Sequence, residues 1–169
     1  MKKILIIVIL SLFLLTGCFN LNIRKDVVKT SYGTYRIDNL VARADHSTKD
    51  KVFYTLEKDK NAKLPDNISV NMGTNRYRKE DHVLFRKAIQ QQLLMQIGKD
   101  ASLNGIGLTT TKNNIVYKFV ITKKDDKTEI TQFYIIGDYK YVLVHETNFS
   151  KNPSLNTAAY NIVDTFEWK

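Results

Sequence analysis

Positions 4–15 form an apolar run interrupted only by Ser11, with Lys2 and Lys3 ahead of it. The run is shorter than the ~20 apolar residues that span a bilayer, and its basic flank fits the hydrophobic segment of a secretory signal. Beyond residue 30 the pattern alternates with period two. It predicts strands over 31–39, with Gly33 as a bulge, over 52–57 and over 68–72, with a polar loop over 41–51. Phe85, Ala88, Ile89, Leu93 and Ile97 then recur at spacings of three and four. They predict a helix over 80–97, its apolar stripe widened by Leu84, Leu94 and Met95 and stopped by Gly98. Period two returns for strands over 106–111, 115–122, 128–136 and 139–147, joined by Lys112-Asn113-Asn114, by the polar hairpin 123–127 and by a Gly137-Asp138 turn. Ala159, Ile162, Val163 and Phe166 form the apolar face of a last helix over 155–165.

The strands of this meander carry apolar residues on both faces. Tyr139, Tyr141 and Leu143 share one parity and Val142 and Val144 the other, while Val116 and Val120 fill the second face of their strand. A sheet wetted on one side alternates more strictly. The expected fold class is therefore α+β, an antiparallel sheet with a helix packed on each face, as an α/β/α sandwich.

Composition narrows the function classes. With 43% hydrophobic and 25% charged residues, the chain is that of a folded module. A single Cys excludes a disulfide framework and any multi-Cys metal site. That Cys ends the sequence Leu15-Thr16-Gly17-Cys18, directly after the apolar run. The tetrapeptide resembles the lipobox of bacterial lipoproteins. The resemblance implies cleavage between Gly17 and Cys18 and lipidation of Cys18, whose sulfur takes the diacylglyceryl group alongside palmitate-type acyl chains. More than one acyl chain on a residue makes a stable anchor. The expected organisation is a signal peptide over 1–17, a short membrane tether over 18–30 and a single domain over 31–169. The expected location is the extracytoplasmic face of the cell membrane.

Three further stretches carry a second resemblance. They are Tyr32-Gly33-Thr34-Tyr35-Arg36-Ile37, the meander from Gln132 through Gly137-Asp138 to Tyr141, and the closing Ile162-Val163-Asp164-Thr165-Phe166-Glu167-Trp168. With the order strands, helix, meander, helix they resemble the PsbP-like/Mog-like fold, which DcrB-type bacterial lipoproteins share. All three are packing patterns. The resemblance implies a non-enzymatic binding or assembly scaffold and brings no catalytic residue with it.

No catalytic or metal-binding signature stands in the chain. His46, His82 and His145 have no H-x-x-x-H or H-E-x-x-H spacing, and no G-x-S-x-G elbow or phosphate loop occurs. Gly105-Ile106-Gly107 reads as a strand entry. Asp125-Asp126, flanked by lysines, reads as a solvated turn. The expectation is no catalytic residue, no cofactor and no metal.

The net charge of +9 sharpens the choice of partner. Arg76, Arg78, Lys79, Arg86 and Lys87 cluster at the start of the first helix, and Lys123, Lys124 and Lys127 in a hairpin. A lipobox removes nucleic acid as a partner and leaves anionic lipid headgroups, anionic wall polymers or an envelope protein. Tyr supplies rigid amphipathic contact area. The candidate binding residues are therefore Arg76, Tyr77, Arg78 and Lys79, with Tyr139 and Tyr141 beside the Gly137-Asp138 turn. The function expected is that of a membrane-anchored binding or interaction module in the cell envelope. An envelope hydrolase with an unrecognised site, and an immunity-type protein against a secreted toxin, are the alternatives.

Overall fold

The computed structural model describes residues 25–63, 65–124 and 128–169. The lipobox and the tip of the 123–127 hairpin lie outside the described residues. Among the described residues no helix is long and apolar enough to cross a membrane.

The order is β1 (Lys25–Lys29), β2 (Gly33–Asp38), β3 (Leu40–Ala42), β4 (Lys51–Leu56), β5 (Asn67–Thr74), α1 (His82–Ile97), β6 (Ala101–Thr109), β7 (Ile115–Lys123), β8 (Glu129–Gly137), β9 (Lys140–Asn148), α2 (Pro153–Thr165) and β10 (Glu167–Trp168). A small sheet runs β1-β2-β10 and a seven-stranded sheet β3-β4-β5-β9-β8-β7-β6. All pairs are antiparallel. The class is α+β, as expected.

Period two sorts the meander into two apolar clusters. Val116, Phe133, Ile135, Val142 and Val144 join Leu155, Ala159, Ile162 and Val163 of α2, and Tyr35, Tyr54, Ile68 and Val70 complete that cluster. The residues of opposite parity, Tyr117, Phe119, Ile121, Tyr134 and Ile136, join Phe85 and Leu93 of α1. Removing each such side chain from water contributes about 1.5–3 kcal/mol. The α2 start is fixed by Asn152, whose side chain accepts from Ser154 N, and by Pro153 in the first turn. Gly98, at φ 61°, ends α1 in a backbone shape that side chains resist.

Several sequence expectations shift. The stretch expected as tether contains β1, which pairs Val28 with Tyr35. Strand structure is therefore present before residue 31. The loop over 41–51 yields β3, paired with β4. Gly33 is no bulge: it pairs in regular register with Trp168 of β10, and the close approach of Phe166 and the Glu167 carbonyl leaves no room for a Cβ. The strand expected over 106–111 runs Ala101–Thr109 instead, its first half hidden from the pattern because Asn104, Gly105 and Gly107 dilute its β-propensity. The last hairpin turns at Asp138-Tyr139, since Gly137 pairs with Lys140. Finally, Leu84, Leu94 and Met95 do not widen the buried stripe of α1. They are exposed, Met95 to 79%.

Candidate binding site

Two segments 60 residues apart in sequence meet at one corner. Asn75 to Lys79 leads from β5 into α1, and Asp138-Tyr139 turns β8 into β9. They meet because β5 pairs with β9, with Thr74 opposite Lys140. The ladder continues past the strands: Asn75 N donates to the Tyr139 carbonyl at 2.9 Å, and Tyr139 N to the Tyr77 carbonyl at 2.8 Å. Two side-chain acceptors tighten the corner. The Asn75 amide oxygen takes Tyr77 N at 2.6 Å, and an Asp138 carboxylate oxygen takes Lys79 N at 3.0 Å.

On this frame the candidate side chains are ordered. Arg78 Nε donates to the Tyr139 hydroxyl at 2.9 Å, and Arg78 Nη1 pairs with Glu80 Oε1 at 3.3 Å. These acceptors, Tyr139 first, raise the guanidinium pKa. The Arg76 guanidinium lies 5.3 Å from the centroid of the Tyr77 ring and donates to its hydroxyl at 3.2 Å. Tyr77 rests edge-on against Phe85 of α1, with centroids 6.2 Å apart. Tyr139 is half exposed and holds a left-handed φ of 56°.

The structure thus brings Arg76, Tyr77, Arg78, Lys79 and Tyr139 together and sets Tyr141 apart. The Tyr141 ring packs on Phe85 at 5.4 Å and Tyr134 at 5.5 Å, over Gly73, where no Cβ would fit. Tyr141 supports the corner from beneath. The basic charge is also diluted, because Glu80, Asp81 and Asp138 stand among Arg76, Arg78 and Lys79. The corner offers cation, carboxylate and aromatic face within one rigid surface. Its chemistry is recognition by hydrogen bonds, charge and stacking.

Sequence reasoning passed over two other polar groups. Tyr134 OH donates to Gln132 Oε1 at 2.7 Å, Gln132 Nε2 meets His145 Nδ1 at 3.3 Å, and Thr147 Oγ1 meets His145 Nε2 at 3.3 Å. Burial, and then Lys51, hold the His145 pKa below its ordinary value. On the opposite parity of β9, Glu146 is buried and its pKa is pushed up to about 7, chiefly by burial. The Asn148 amide, 3.4 Å away, and Lys118 oppose this shift, while Glu129 and Asp66 add to it. The i, i+2 spacing of polar residues on strands was the available signal, but cross-strand partners are set by register. Among the described residues no group of three or more His, Cys, Asp or Glu side chains gathers where it could hold a metal ion. A cavity of about 380 Å3 lies beside His82, Gly107, Thr109 and Tyr117, and one of about 400 Å3 beside Ile97, Ala101 and Ile121.

No protein-family model matches the chain, and no curated protein matches it in sequence. Among solved structures, the solution structure of cyanobacterial PsbP (CyanoP) from Synechocystis sp. PCC 6803 aligns with a TM-score of 0.54. The alignment covers 90% of this chain and 96% of that one at 10% identity. At that identity the likeness carries the fold alone, and the domain is PsbP-like.

Proposed function

We propose that the chain is a membrane-anchored extracytoplasmic lipoprotein of the DcrB type that acts without catalysis, as a binding module for a protein of the cell envelope. The anchor is Cys18 within Leu15-Thr16-Gly17-Cys18. The layered reading of the fold is an α/β/α sandwich, supported by the two clusters that divide the sheet residues by parity between α2 and α1.

The observation that carries the binding reading is the corner of Arg76, Tyr77, Arg78 and Tyr139. Three hydrogen bonds fix its two segments to each other and a fourth, from Tyr77 N to the Asn75 side chain, tightens the first of them, so its aromatic and charged groups are ordered before a partner arrives. Exposed Tyr and Arg on a pre-ordered frame are the residue types that dominate protein interfaces. Interleaved acids disfavour a pure polyanion and favour a partner with both signs of charge. Anionic wall polymer or lipid is then a weaker, salt-sensitive ligand of the same surface.

The test is equilibrium binding of the detergent-solubilised full chain to a solubilised envelope-protein fraction, and separately to anionic vesicles and wall polymer. Saturable capture of an envelope protein is expected, weakened about tenfold by Arg76→Gln with Tyr139→Ala, as for loss of one interface anchor. Equal capture by the variant, or binding to polymer alone, overturns the reading. Cys18→Ala tests the anchor: it abolishes lipid labelling, whereas labelling that persists places the lipid elsewhere.

A further inference from the structure

Strand β6 ends the seven-stranded sheet, and among the described residues no strand pairs with its outer edge. Sheet edges are ordinarily kept short, charged, interrupted by Pro or bulged, because their free N–H and C=O groups template another strand. The other edge, β3, has three residues. By contrast, β6 has nine, Ala101 to Thr109, with no charged residue and no Pro. Its register with β7 is unbroken over all nine, so it has no bulge.

The ladder fixes which groups point outward. Both ends close on hydrogen bonds of even-numbered residues: Thr110 N donates to the Asn114 carbonyl, and Lys124 N to the Asp100 carbonyl. Antiparallel pairs alternate, so Ser102, Asn104, Ile106 and Leu108 spend their backbone groups on β7. Ala101, Leu103, Gly105, Gly107 and Thr109 direct theirs away from the sheet.

Helix α1 runs beside this edge. His82, at its start, shares a cavity with Gly107 and Thr109, and Ile97, at its end, shares one with Ala101. Val83, Gln90, Leu94 and Ile97 step by seven, four and three along one strip of the helix, on the His82–Ile97 side. Val83 and Leu94 on that strip, and Ile106 on β6, are about half exposed.

We infer that β6 is a homodimer interface, pairing antiparallel with β6 of a second copy about a two-fold axis at Gly105. Unpaired backbone groups specify a strand as occupant. An edge free of charge is what lets two copies of a chain of net charge +9 meet there without like-charge repulsion. In this register Ala101 faces Thr109, Leu103 faces Gly107 and Asn104 faces Ile106, so all outward groups pair. The two α1 helices come side by side and antiparallel, each covering the other's Val83 and Leu94. One isologous contact closes the assembly.

Disulfide mapping of the full chain in detergent tests the register. Asn104 and Ile106 of opposite copies form a non-hydrogen-bonded pair about 4.5 Å apart at Cα, within disulfide reach. Under mild oxidation the double variant N104C/I106C becomes mostly covalent dimer, at least about tenfold more than either single variant or the shifted pair S102C/I106C. Sedimentation of the unsubstituted chain gives a dimer, and L94K/I106K gives a monomer with the melting midpoint that the unsubstituted chain shows when diluted to monomer. A monomer at about 100 µM, a concentration that populates any dimer of micromolar Kd, overturns the inference. So does a dimer that survives L94K/I106K, or crosslinking that does not depend on register.

Discussion

Tyr139 shows how a single residue joins stability to recognition. A Tyr in the left-handed region costs about 1 kcal/mol, and the position is exposed and ends a hairpin, where Gly or Asn would be ordinary. What Tyr139 adds there is a hydroxyl for Arg78 and a half-exposed ring. Tyr139→Gly should therefore raise stability by about 0.5–1 kcal/mol in thermal unfolding while weakening capture of the partner. Glu146 sets a second residue-scale test. Its folded pKa, about 7, lies above the ordinary value near 4.5, so the folded state favours the protonated form. Its contribution is complete below the ordinary value and is lost as pH rises through about 7. His145 has the opposite sign, because its lowered pKa favours folding as pH rises. Comparison with Glu146→Gln isolates the carboxyl: the variant gains stability relative to the parent between pH 4.5 and 8, by up to about 3 kcal/mol, in denaturant titrations at fixed pH. A variant difference that is flat with pH would remove the buried acid from the account. Tyr139 was legible in the sequence because it stands beside a turn signal. The Asn75 and Asp138 caps were not, because each meets its partner only after the chain has folded.

Helix α1 was legible as a helix and in its main stripe, since Phe85, Ile89, Leu93 and Ile97 do meet the sheet, but not in the width of that stripe. Its apolar residues lie on more than one side, so spacing alone cannot tell how far the buried strip extends. Leu84 and Met95 face solvent. Phe85→Ala should cost about 3–5 kcal/mol, since the ring lies among Tyr77, Tyr134 and Tyr141. Leu84→Gln and Met95→Gln should each fall within about 0.5 kcal/mol of the parent in chemical denaturation. Equal losses for all three would contradict this orientation. Strand β6 was half legible for a related reason. Gly105 and Gly107 interrupt its side-chain pattern, yet at Gly105 a Cβ would meet the Phe119 ring at 2.8 Å, so the residue that hides the strand is the one its packing requires.

For the whole molecule, the order of the two helices and the longer strands followed from periodicity, but β1, β3 and β10 and the order within the sheet did not. Strand β5 lies beside β9 although α1 and three strands separate them along the chain. That adjacency, which no local pattern encodes, carries Arg76 to Arg78 to the Asp138-Tyr139 turn and makes a site of two loops. It also separates the recognition corner, on the β5–β9 pair, from the β6 edge at the end of the sheet. One measurement tests the claim of an anchored binding module most directly: photo-crosslinking in living cells, with a photoreactive residue replacing Tyr139 or, as control, Tyr160, which is exposed to a similar degree on α2. The account predicts a discrete adduct with an envelope protein from position 139, reduced when Arg76 and Arg78 are also changed to Gln, and none from position 160. No adduct from position 139, or the same adduct from both positions, would contradict it.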